Sequence, residues 1–104
     1  MGKYVLAYRG GVVAETKAEQ QAQMEKWMNW FGGLGSSVVD GGGPFGPSST
    51  ISSSGSAADS GAAGLTGYSI LEADDLAEAV GKAKGCPVLD AGGSVEVYES
   101  MPIG

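Results

Sequence analysis

Histidine is absent from this chain, and cysteine occurs once, at Cys86. The usual ligand sets for zinc, haem and iron–sulfur clusters are therefore missing, and no imidazole can act as a catalytic base. A single cysteine forms no internal disulfide, which points to a reducing, cytoplasmic setting. Basic residues are also few. Six stand against twelve acidic ones, only Lys82 and Lys84 lie close together, and the net charge is −6. Nucleic acids and anionic membranes are recognised through clustered Lys and Arg, so neither is an expected partner. No apolar run reaches membrane-spanning length, and residues 1–15 lack the layout of a signal peptide. No metal or cofactor is expected.

What is present suffices for one core. The chain has 104 residues, 42% of them hydrophobic, which fits a single packed domain and is too short for two. Lys3 to Arg9 (KYVLAYR) reads as a strand closed by Gly10-Gly11. Thr16-Lys17-Ala18-Glu19 is a capping box, and the helix it opens sets Met24, Trp27, Met28, Phe31 and Leu34 on one face, with Gly32-Gly33 as its stop. Ser37 to Asp40 reads as a short strand running into glycines. Residues 48–66 are Gly/Ser-rich and are expected to form an arm or hairpin held against the body or a second subunit. Gly67 to Ala73 (GYSILEA) is a strand. Asp75-Leu76-Ala77-Glu78 opens a second helix with Leu76, Ala79, Val80 and Ala83 as its buried stripe, stopped by Gly85 and Pro87. Ser94 to Glu99 alternates, with Val95 and Val97 on one face and Glu96 and Tyr98 on the other.

The order β-α-β-loop-β-α-β predicts an α+β domain of ferredoxin-like, split βαβ form, with both helices on one face of a four-stranded antiparallel sheet. The other face is left bare with apolar and aromatic side chains, which predicts a homodimer.

Several motifs have competing readings. Gly41-Gly42-Gly43-Pro44-Phe45-Gly46 spells a dinucleotide fingerprint, but Pro44, Pro47 and the serines after them forbid the helix whose N-terminus must hold the pyrophosphate. Glu72, Asp74, Asp75 and Glu78 are dense, yet they sit at a helix start, where the macrodipole favours carboxylates. Trp27 belongs to the core stripe and Trp30 to its margin. Tyr8, Tyr68 and Tyr98 are strand tyrosines with either a polar pocket or a dimer seam to serve. Cys86 follows a helix C-terminus, whose electronegative end raises a thiol pKa, so it is not an expected nucleophile.

Three segments together resemble the YCII-related family: KYVLAYRGG, WFGGLGSSVVDGGGPFGPSST and GYSILEADDL with AKGCPVLDAGGSVEVYE. The resemblance implies a dimeric α/β barrel with a cleft on the helix-free sheet face, in a family of no firmly assigned general activity. The Asp-Gly-Pro-Phe tetrad of one branch is missing, with Asp59-Ser60-Gly61 near its place, and so is the histidine that relatives often carry near the first strand or in the first helix. Asp40 matches the aspartate proposed to pair with that histidine.

These readings converge on a small-molecule-binding dimer. Its ligand site is expected to use Arg9, Gly42, Gly43, Phe45 and Tyr68, with Arg9 and Asp40 at one end of two parallel strands and Arg9 holding a small anion. The alternative is a metal- and nucleotide-independent enzyme in which Asp40 is the general base and Arg9 the anion clamp. Burial separates the two: an Asp40 lining a pocket would suit a base, an exposed one would not.

Overall fold

Gly2–Arg9 (β1) lies at the centre of the structure, a computed structural model that describes residues 2–11, 15–55, 57–58 and 64–101. Its helix-facing side chains Tyr4, Leu6 and Tyr8 are all buried. β1 pairs antiparallel with Leu65–Ala73 (β5) on one side and with Ser94–Ser100 (β6) on the other, and Val38–Pro44 (β2) pairs antiparallel with β5. The resulting sheet has the order β2-β5-β1-β6 and is antiparallel throughout. The protein is thus α+β, with a four-stranded antiparallel sheet and helices, an arrangement compatible with the ferredoxin-like fold. Thr50–Ile51 (β3) and Ala57–Ala58 (β4) form a separate two-stranded sheet. Asp59-Ser60-Gly61 lies outside the described residues.

Helix α1 (Lys17–Leu34) begins as the capping box requires, with Glu19 N donating to Thr16 Oγ1 at 3.1 Å. It does not stop at Gly32-Gly33. Both glycines stay helical, and Gly35, at φ 58°, ends the helix by donating its N–H to the Phe31 carbonyl. A single 3₁₀ turn (Gly35–Ser37) then leads into β2. No residue of α1 is fully buried, and Met24 and Met28, expected in the core, are 62% and 66% exposed. The helix packs through Trp27, Trp30 and Leu34, towards its C-terminal end, while residues 17–22 of its first turns are exposed.

Helix α2 (Leu76–Ala83) is capped by Asp75, whose carboxylate accepts from Glu78 N at 2.8 Å. It packs through the small residues Ala79 and Ala83, so the helix sits close to the sheet and leaves Leu76 and Val80 exposed. Pro87 stops nothing. It is the first residue of a one-turn helix, α3 (Pro87–Asp90), where its missing N–H costs no hydrogen bond. The three helices meet the sheet on the side of Leu6, Tyr8 and Leu71, and Val95 and Val97 of β6 join them there.

β2 runs through the glycine run instead of ending at Asp40. It keeps pairing with β5 by shifting register twice, and Gly42 makes this possible. Its φ is +67°, and a Cβ there would lie 1.9 Å from the Tyr68 carbonyl oxygen. Only glycine fits.

Candidate functional site

Side-chain size falls along the helix-facing side of β5, from Leu71 to Ser69 to Gly67. Gly67 leaves no room for more, because a Cβ there would meet Gly43 O at 2.9 Å and the Tyr8 ring at 3.3 Å. The inward face of α1 changes in parallel, from Trp30, Phe31 and Trp27 to Gln23 and Gln20, one and two turns earlier. Large apolar residues therefore fill one end of the helix–sheet interface and polar or absent side chains leave the other open. The gap is a cavity of about 1250 Å³ between the first half of α1, α3 and the ends of β2 and β5. Tyr8, Trp27, Phe31 and Val88 supply its apolar wall, and Gln20 and Gln23 its polar side. A hollow of about 390 Å³ at Phe45–Ser48 and Leu65 has all its lining residues in common with it and belongs to the same site.

The wall is rigidly held. Trp27 stands edge-on to Tyr8, with ring centres 5.1 Å apart, and lies 5.9 Å from Phe31. The Trp30 indole N–H donates to the Lys82 carbonyl at 3.1 Å, tying α1 to α2. Behind the wall the Tyr8 hydroxyl donates to Ser69 Oγ at 2.7 Å, and Ser69 donates to the Gly41 carbonyl at 2.8 Å. Burial pushes the Tyr8 hydroxyl pKa well up and that of the Cys86 thiol up to about 11. Neither group is poised to ionise near neutral pH.

Of the residues expected to bind a ligand, Gly42, Gly43, Phe45 and Tyr68 line this cavity, which lies between α1 and the sheet and not in the cleft expected on the helix-free face, while Arg9 and Asp40 do not line it. Asp40 is exposed. Its carboxylate accepts from Gly42 N at 2.8 Å and from the Tyr68 hydroxyl at 3.3 Å, and its charge holds the Tyr68 pKa up. Phe45 stacks on Tyr68 with ring centres 5.6 Å apart. These residues form one group at the β2–β5 pair.

Arg9 stands apart from them. Asp40 is in register with Ile70, and Ile70 with Val5, so Arg9 lies four residues further along β1. Two strand spacings across and four residues along make about 16 Å, more than an Arg side chain spans. Arg9 instead pairs with Glu96 on β6, and the Tyr98 hydroxyl donates to the same carboxylate. Hydrogen bonds from Tyr98 and Arg9 hold the Glu96 carboxyl below its ordinary range. The expected meeting of Arg9 and Asp40 fails because each charge has a closer partner on its neighbouring strand.

Trp27 packs against the core as its place in the stripe implies, but it is only half-buried and also lines the cavity, which the stripe does not reveal. The signal in the sequence was Gln20 and Gln23, seven and four residues before Trp27 and so on the same helix face, where a filled interface would place apolar residues. Among the described residues, no cluster of three or more Cys, Asp or Glu could hold a metal ion, and no helix is long and apolar enough to cross a membrane. Compared with protein-family models, with curated proteins and with solved structures, the chain has no match.

Proposed function

We propose that the protein is a non-catalytic small-molecule-binding protein that holds its ligand between α1 and the sheet and works as a homodimer. The observation that carries the reading is the cavity at the open end of the helix–sheet interface, with a fixed aromatic wall and glycine backbone on its sheet side. Such concave, mostly apolar sites with a few polar groups are where small ligands bind. Among the described residues, its ionisable lining groups are Lys26 and Asp90, on α1 and α3, with the tyrosines Tyr8 and Tyr68. No nucleophile there stands beside a base. Asp40, the expected base, faces solvent with its carboxylate already hydrogen-bonded, which removes the support for a reaction.

The homodimer rests on the opposite side of the sheet. Val5 and Ile70, both half-buried, lie on the side of the sheet away from the helices, with buried Ala7 between them and the Arg9–Glu96–Tyr98 group beside them. An apolar strip with a polar rim suits a sheet-to-sheet interface, and the YCII-related resemblance points to the same pairing.

Native mass spectrometry of freshly purified protein tests both parts. A dimer carrying one non-covalent small molecule per chain is the expected result. A species without bound mass, with a melting temperature that no member of a broad metabolite set raises, would overturn the binding function.

A further inference from the structure

We infer that the ligand of this cavity is an uncharged, flat aromatic compound with a carbonyl or hydroxyl group at one end, and not the small anion that Arg9 suggested. The inference rests on the cavity being the binding site and specifies what it accepts.

Three observations converge on that chemistry. The first is the wall. Trp27 and Phe31 lie on the inward face of α1, yet both remain half-buried, and Gly41 below Phe31 sends up no side chain to cover it. A planar apolar body laid against these rings would complete the packing that the rest of the interface already has. The second is the charge. Lys26 and Asp90 cancel, the one free-face arginine is turned away towards Glu96, and the chain as a whole carries −6. An anion would be repelled at long range and would find no guanidinium at short range. The third is the polar side. Gln20 brings an amide to the lining, which both donates and accepts and so suits a carbonyl or hydroxyl group better than an ionised one. The volume of about 1250 Å³ is above the usual range for small-ligand pockets, so several fused rings fit.

The test uses two probes with the same aromatic body, N-phenyl-1-naphthylamine, which is neutral, and 8-anilinonaphthalene-1-sulfonate, which is anionic. Each is titrated into the full chain while energy transfer from tryptophan is followed. The neutral probe should bind once per chain, at least about tenfold more tightly than the sulfonate. Gln23→Phe, which fills the cavity from α1, should weaken it by at least about tenfold, and Arg9→Ala on the far face should leave it unchanged. Equal or tighter binding of the sulfonate, still lost in Gln23→Phe, would overturn the ligand class and leave the cavity standing. Binding that ignores Gln23→Phe, or no binding of either probe, would overturn the cavity as the site.

Discussion

The Tyr8 hydroxyl on β1 donates to Ser69 on β5, and Ser69 hands the contact on to the Gly41 carbonyl of β2, so one chain of side-chain hydrogen bonds spans three strands. Ser69 is fully buried, which makes each partner costly to leave unsatisfied. Ser69→Ala should lower stability by about 1–3 kcal/mol, since it strands the Tyr8 hydroxyl and the Gly41 carbonyl together. Tyr8→Phe should cost only about 1 kcal/mol, because Ser69 can still donate to Gly41. Urea denaturation of both variants checks the order, and an equal loss would contradict it.

Gly42→Ala should be among the most damaging single changes outside the core. The new methyl must enter a left-handed backbone conformation and collide with the Tyr68 carbonyl. A loss of at least about 2 kcal/mol is expected. Gly46→Ala, with nothing within 4 Å and no positive φ, should change stability by less than about 0.5 kcal/mol. Similar denaturation midpoints for the two variants would show that the β2 bulge does not depend on glycine.

Alkaline pH should destabilise the fold. Burial lifts the Cys86 thiol from its ordinary 9.0 to about 11 and lifts the Tyr8 hydroxyl as well. The unfolded chain therefore releases these protons at lower pH than the folded one. Their contribution is complete below pH ~9 and is lost as pH rises towards ~11 and beyond. Urea midpoints between pH 8 and 11 should fall along this course, less steeply in Cys86→Ala. At pH 8, alkylation of Cys86 by iodoacetamide should follow the unfolding rate, as expected for a thiol 1% exposed.

Val5→Lys places a charge in the middle of the uncovered face, in register with Ile70 and Tyr98. If the proposed sheet-to-sheet dimer forms, sedimentation should report a dimer for the parent chain and a monomer for Val5→Lys, with an unchanged far-ultraviolet circular dichroism spectrum. A dimer that survives the substitution would place the subunit contact elsewhere.

Helices α1 and α2 and three of the four strands of the main sheet were legible because their signals are local. Thr16 and Asp75 cap their helices as their spacing implies, and Val95 and Val97 face the core as alternation implies. What escaped depends on partners distant in sequence. β2 extends through glycines of poor strand propensity because β5 offers them hydrogen bonds, which a composition reading cannot register. Met24, Met28, Leu76 and Val80 carry the right helical spacing, but spacing does not reveal how far along a helix the packing reaches. The candidate site divides in the same way. Asp40, Gly42, Gly43, Phe45 and Tyr68 are near in sequence or joined by one strand pair, and they do group together. Arg9 was misassigned because its partner depends on the β1–β6 register, which sets Glu96 beside it.

The two outer strands of the main sheet differ in how they end it. β2 meets its neighbour through two register shifts, whereas β6 follows β1 without interruption from Ser94 to Ser100. A bulged margin offers an uneven row of N–H and C=O groups that an incoming strand cannot follow, while a regular one is an open template. Among the described residues of the main sheet, an added strand thus meets a regular edge at β6 and an uneven one at β2.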